Sequence, residues 1–414
     1  MTASALLDGG PAAAQERAFP ALDGLRILAA TAIVVSHVAF ITGTSSSDTG
    51  IGASALAHLE VGVPVFFVLS GFLLFRPFPL AAVRGDAAPD TRAYLWRRAL
   101  RILPTYWLTV IGAVLFLPVN EGTNAGKLLQ HLALVQVYGD EGPIGGLDQM
   151  WSLCTEVAFY AVLPVLAAGL GRLSRGRAAR PWPALLALGG LAVAGPLFLY
   201  LVRLHPWGYH PMHLWLPSFA GWFAGGMALA LLSVADRGWA PVRVVRALGR
   251  HLVVCWAAAA VLYWVACTPL SGPYTFAQPT PVESVTRNVL YMGIAVLVVL
   301  PLVLGQEHGG LVRRALSGAT ARRLGEVSYG VFLVHMPLLA GFYAWLEIPV
   351  LTGPPIPVFV IVWGASVAIA ACLYVAVERP VRRFRSLVPD HGRTPRAEPA
   401  VHPAPGDLAV EPTK

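Results

Sequence analysis

Charge is what this sequence has least of. Asp, Glu, Lys and Arg together make up 13% of its 414 residues, about half the share found in water-soluble domains. With 56% hydrophobic residues and a mean hydropathy of +0.63, this scarcity excludes a soluble globule. Lysine is nearly missing: Lys127 and Lys414 stand beside 28 Arg. The formal charge of +8 is spread over alternate connecting segments rather than gathered into one basic patch, so no nucleic acid is expected as a partner. Cysteines number four, Cys154, Cys255, Cys267 and Cys372, and no CxxC or metal-ligand spacing links them. They are expected to be small buried hydrophobes. Residues 1–18 lack a basic segment followed by an apolar core and a cleavage site, so the first span is expected to serve as an uncleaved anchor.

What is present is a series of long apolar windows. A bilayer core of about 30 Å is crossed by about 20 mostly apolar helical residues. Windows of that kind recur ten times, with cores at 22–41, 59–75, 102–118, 151–170, 183–202, 212–234, 251–267, 288–304, 325–346 and 355–377. The expected fold class is all-α, a polytopic membrane protein with a bundle of about ten transmembrane helices, because a helix satisfies its backbone groups within the span. The connecting segments test that count. Six basic residues lie in 76–101, four each in 171–182, 235–250 and 305–324, and seven from 378 onward. The intervening segments hold Lys127, Arg203 and Arg287. By the positive-inside rule both termini are cytoplasmic, in a bacterial cytoplasmic (inner) membrane. Residues 1–18 and 386–414, rich in Ala and Pro, are expected to be disordered cytoplasmic tails around one transmembrane domain at 19–385.

Ionisable groups inside a span cost about 2.5 to 3.5 kcal/mol at its centre on insertion scales, so each is a candidate for function. In the first span, LDGLRILAATAIVVSHVAF, Arg26 and His37 lie eleven residues apart. At about 100° and 1.5 Å per residue they share one helix face, separated by about 16 Å along the axis. That suits a passage between a cytoplasmic ligand and an acceptor deeper in the membrane; a snorkelling Arg and a hydrogen-bonded His are the structural alternative. The fourth span opens QMWSLCTEVAFY from the outside. Glu156 is therefore expected at the depth of His37, where a carboxylate could orient the imidazole and raise its basicity. Arg97, Arg98 and Arg101, with Arg76 and Arg92 near them, suit phosphate groups through forked guanidinium bonds, although topology alone also produces basic loops. The ninth span, GEVSYGVFLVHMP, offers Ser328, Tyr329 and His335 as substrate contacts, with Pro337 placed to open backbone carbonyls to a cavity. His205, His210 and His213 cluster without a carboxylate or Cys, so no metal centre is expected.

Six segments then occur in one order: ALDGLRILAATAIVVSH, VGVPVFFVLSGFLLF, RRALRILPTYW, WSLCTEVAFY, GEVSYGVFLVHMP and VERPVRRF. Together, over residues 20–385, they resemble acyltransferase family 3, the bacterial integral-membrane acyltransferases. The resemblance implies O-acyl transfer, usually of acetyl, from acyl-CoA (acetyl-CoA) as donor substrate, with no permanently bound cofactor. The implied acceptor is a hydroxyl of a sugar, glycoconjugate or glycosylated metabolite. The resemblance matches Arg26 and His37 to the family's essential pair, and Arg98 and Arg101 to its cytoplasmic RxxR. Two positions depart on the acceptor side: Val157 stands where relatives often have a second acidic residue, and Gln149 and Met150 where they often have a His. Some relatives carry a fused extracytoplasmic domain. None is expected here, which would leave outer-face transfer to a separate extracytoplasmic transfer protein. The competing reading is a transporter or flippase of a lipid-linked or acylated carbohydrate, but the sequence has neither the inverted repeats nor the discontinuous helices frequent in such proteins. His37 is expected to be a general base, with an acyl-histidine intermediate as the rival route.

Overall fold

A computed structural model describes residues 19–46, 50–139, 141–205, 211–274, 277–305 and 310–389. The expected tail 1–18, most of the expected tail 386–414, and His210 lie outside them. The described residues contain no strand. The chain opens with α1 (Ala21–Ile41) and continues through α2 (Ile51–His58), α3 (Gly62–Phe75) and α4 (Pro77–Arg84), which together make one long second crossing. Asp90 then caps α5 (Thr91–Phe116), its side chain accepting from the Ala93 amide at 2.8 Å. A short α6 (Ala125–Leu132) precedes α7 (Trp151–Leu173) and α8 (Trp182–Leu204), after which come α9 (Ala220–Val234), α10 (Ala240–Arg250) and α11 (Leu252–Ala266). A reciprocal Thr280–Glu283 capping box starts α12 (Pro281–Leu304). The helical run ends with α13 (Leu311–Ser317), α14 (Ala319–Trp345) and α15 (Pro355–Leu373).

Nine of these stretches are long and apolar enough to cross a bilayer, and the tenth expected span is the bent pair α10 and α11, which turn through 86°. The bend has a sequence cause. Arg243, Arg246 and Arg250 give α10 a charged face that belongs at a membrane surface, whereas α11 is apolar throughout. Although α11 has only 15 residues, it connects the two ends of the bundle. Gly249 beside its start lies against Leu304 and Gly305, and the Cys267 carbonyl beyond its end accepts from Ser54 at 2.8 Å. The chain is thus an all-α multi-pass membrane protein. Its Arg-rich connections mark the basic end, and Arg203, Arg287 and Lys127 lie toward the far end.

Small residues set the closest helix contacts. A Cβ on Gly226 of α9 would strike the Val68 carbonyl of α3, and one on Gly71 of α3 would strike the Phe223 carbonyl of α9. Such paired gaps let backbones approach where lipid supplies no hydrophobic drive between helices. Three of the cysteines are buried as expected, but Cys372 is exposed on α15, facing the surroundings of the bundle instead of its interior.

The segment between α5 and α7 does not stay at the far surface. Gly146 lies against Pro337, and the Gln149 amide donates to the Leu333 carbonyl at 3.1 Å. Leu333 lies four residues before Pro337, so its carbonyl has no backbone N–H to accept from. The opening expected at Pro337 is therefore present and is filled by Gln149. Leu333 is also about 18 Å below the far end of α14, at 1.5 Å per residue, so α7 starts deep within the bundle.

Candidate active site

Two cavities lie against α1. The inner one, of about 100 Å³, collects Arg26 of α1, Ser70 of α3, Arg98 and Arg101 of α5, Glu156 and Tyr160 of α7, and Ser328 and Tyr329 of α14. Helix periodicity accounts for these placements. Arg98 and Arg101 are three residues apart on one face of α5, and Glu156 and Tyr160 four apart on one face of α7. Glu156 accepts a hydrogen bond from the Ser70 hydroxyl. Arg26 is ion-paired with Asp23 at 3.0 Å, within the first turns of α1. Arg98 Nε is buried with no hydrogen-bond partner among the described residues. Tyr329 donates to the Ile102 carbonyl at 3.0 Å and so ties α14 to α5, while Ser328 donates within α14 to the Gly325 carbonyl at 2.7 Å.

The expected basic cluster divides. Arg98 and Arg101 face the inner cavity, but Arg97 and Arg76 are not among its lining residues. Arg76 donates to Ser233 at 3.2 Å and lays its guanidinium over the Phe19 ring, 5.0 Å from the centroid. It therefore ties α3 to α9 and to the start of α1, apart from the cavity that Arg98 and Arg101 line.

The outer cavity, of about 450 Å³, opens toward the far end. His37 and Ser36 of α1 line it, together with His58, Glu60, Arg203, Tyr274 and Arg287. Glu60 lines the outer cavity and Val63 the inner one. Three residues of helix span about 4.5 to 6 Å, so the wall between the cavities is about one turn thick there.

His37 sits on that wall. Its Nδ1 is 2.9 Å from His335 Nε2, and the two rings stack with centroids 5.2 Å apart at 10°. His335 Nδ1 is 3.2 Å from the Val331 carbonyl. A carbonyl only accepts, so Nδ1 of a neutral His335 carries the proton and its Nε2 is bare. His37 Nδ1–H must then donate to it, leaving His37 Nε2 with a lone pair and, among the described residues, no hydrogen-bond partner. Phe332, whose ring lies 5.9 Å from that of His335, lines the inner cavity. The histidine pair therefore stands between the two spaces.

Glu156 is not at His37. The expectation that it orients the imidazole took its depth from a helix starting at the far surface, whereas the recessed start of α7 carries it to the level of Tyr329 and Phe332. His335, expected as a substrate contact, occupies the orienting position instead. The inner-cavity roles of Ser70 and Tyr160 and the outer-cavity positions of Glu60, Tyr274 and Arg287 had not been anticipated. Arg203 and Arg287 carried the one available signal, as isolated cations where the charge bias disfavours them. No group of three or more His, Cys, Asp or Glu able to hold a metal occurs among the described residues.

The acyltransferase-domain family profile matches residues 19–375. Nodulation protein 10 of Rhizobium leguminosarum bv. viciae is 24% identical, covering 88% of this chain and 93% of its own. Peptidoglycan O-acetyltransferase OatA of Listeria monocytogenes is 23% identical over 88% of this chain, which spans 56% of that relative's length. Exopolysaccharide production protein ExoZ of Rhizobium meliloti is 29% identical over 78% of this chain and 89% of its own. No solved structure matches. With nearly all of its bundle inside the matched region, this chain belongs to the acyltransferase family 3 and is a membrane-embedded acyltransferase.

Proposed function

We propose that the enzyme takes an acyl group, acetyl in the simplest case, from acyl-CoA at the basic, cytoplasmic end and places it on a carbohydrate hydroxyl in the outer cavity. What carries this reading is the position of His37 on a thin wall, with a cationic cavity on one side and a polar one on the other. Arg98 and Arg101 suit the phosphates or the polarised thioester of a CoA donor arriving at the basic end. Arg26, about 16 Å along α1 from His37, suits the donor at the basic end of the inner cavity. The names of two relatives, a peptidoglycan O-acetyltransferase and an exopolysaccharide production protein, favour a sugar polymer or its precursor as acceptor.

In this mechanism His37 Nε2 takes the proton of the acceptor hydroxyl while its oxygen bonds to the acyl carbon. The thioester C–S bond breaks, and the proton replaces the acyl group on sulfur. His335 stays neutral throughout. It accepts the His37 Nδ1–H bond, which strengthens as His37 becomes an imidazolium. Tyr329, Ser328 and Glu156 keep the inner cavity's walls in place and supply its polar groups.

The test is mass spectrometry of envelope glycans and secreted metabolites from a strain lacking the chain, complemented by wild type or His37→Ala. The acetyl mass increment should vanish from one class of glycan on deletion and return with wild type alone. Restoration by His37→Ala, or no glycan change on deletion, would remove the reading.

A further inference from the structure

The outer cavity holds more positive charge than its place in the fold explains. Arg203 ends α8, and Arg287 lies in the second turn of α12. Both line the cavity above His37, on the side where the positive-inside bias disfavours Arg. Neither guanidinium is ion-paired among the described residues. Arg287 is held still by its neighbours: Nε and NH2 donate to the Ser271 carbonyl at 3.0 and 2.8 Å, and NH2 also donates to the Pro273 carbonyl at 2.6 Å. Arg203 NH1 donates to Gln278 at 3.3 Å. These hydrogen-bond partners are neutral.

Two carboxylates lie nearby, and one of them lines the cavity. Glu60 lines the cavity and accepts from the Tyr291 hydroxyl at 3.1 Å. Glu283, one turn before Arg287, is committed to the capping box, accepting from the Thr280 amide at 2.7 Å. The lining thus carries two cations and one anion, beside the ring of Tyr274 and the amide of Gln278. An aromatic face, an amide, a carboxylate and fixed guanidinium groups suit sugar hydroxyls, and the excess cation suits an acidic substituent on the sugar.

We infer that the outer cavity is the acceptor site and selects a carbohydrate bearing an anionic group, a carboxylate or a phosphate, which Arg203 and Arg287 bind while a neighbouring hydroxyl reaches His37. This rests on the acyl-transfer reading above and adds the charge class of the acceptor. Glu60, which accepts from Tyr291 one turn beyond Arg287 on α12, engages hydroxyls.

The test uses the full-length protein in lipid nanodiscs and three probes: methyl glucuronide, a glucoside phosphate and methyl glucoside. Saturation-transfer NMR reads binding, and competition against labelled acetyl transfer reads use of the site. One or both anionic probes should be preferred over the neutral glucoside by about tenfold, the scale of one charge-assisted contact. Which of them wins separates carboxylate from phosphate. Arg203→Gln should lower that preference about tenfold, Arg203→Lys should retain part of it, and Glu60→Gln should raise it. Added salt should weaken it. Equal handling of the three probes, binding of none, or an unchanged preference in Arg203→Gln would overturn the inference. The underlying reading is tested separately, because His37→Ala must abolish transfer to every probe while still binding the anionic one. Transfer surviving in His37→Ala would sink the acyl-transfer reading whatever the charge preference.

Discussion

His37 Nδ1 stands 2.9 Å from His335 Nε2, although 298 residues separate them in the chain. The contact fixes which imidazole nitrogen of His37 can act as a base. Substituting His335 should therefore damage turnover without abolishing donor binding. His335→Phe keeps the volume but removes the acceptor. It should lower kcat about ten- to a hundredfold, the range expected when a catalytic group is misplaced by about an ångström. His335→Gln can still accept and should recover part of the loss. A His335→Phe enzyme with unchanged kcat, measured in nanodiscs, would return His335 to an ordinary packing role.

Arg98 and Arg101 should act on the donor. Replacing either with Ala should raise the apparent KM for acyl-CoA about tenfold while changing kcat much less, as for an interaction shared by ground and transition states. Lys should rescue incompletely because it lacks the planar fork. Arg76→Ala offers the contrast: its guanidinium packs on Phe19 and Ser233, so thermal stability should fall while donor affinity holds. Calorimetry with CoA reads both results. An unchanged donor affinity in Arg101→Ala would contradict the assignment.

Glu156 separates two accounts of the site. As an inner-cavity residue bonded to Ser70, it should influence the donor and leave the basicity of His37 alone. Glu156→Gln should therefore shift donor KM by about threefold to tenfold and leave the pH profile of kcat in place. A displaced pH profile would restore the direct pairing with His37.

The reach of sequence reading differs among these residues. Hydropathy and alternating Arg made the crossings readable, because lipid allows few other solutions. Their three-residue spacing made it legible that Arg98 and Arg101 share one face of α5, the face that lines the inner cavity. Glu156 was misplaced because counting depth from the start of a span assumes that the preceding loop ends at the surface. Residues 141–150 break that assumption by folding inward to Pro337. The histidine pair was only half visible. Periodicity places His37 and His335 on helix faces, but no local pattern brings α1 against α14. Small residues do: a Cβ on Gly325 of α14 would strike the Asp23 carbonyl of α1. The outer cavity was least visible, since its residues come from helix ends whose register depends on the whole bundle.

Close helix packing makes a stability prediction. Gly226→Ala would press a methyl group into the Val68 carbonyl, which should destabilise the protein by about 1 to 3 kcal/mol as overpacking does. Gly112, where a Cβ meets nothing within 4 Å, should tolerate Ala with little change. Thermal unfolding of both variants in the same detergent makes the comparison. Equal stability would mean that α3 and α9 can separate without loss.

The central claim is that His37 Nε2 is the base that delivers the acceptor hydroxyl to the acyl group. The measurement that tests it most directly is acetyl transfer by purified wild type and His37→Ala under saturating labelled acetyl-CoA, with CoA affinity measured on the same samples. His37→Ala should retain donor affinity and lose about 10² to 10⁴-fold in rate, the range for a general base, and wild type incubated without acceptor should retain no label on His37 after denaturation. Label bound covalently to His37 would replace the base with a nucleophile, and near-normal turnover by His37→Ala would contradict the account altogether.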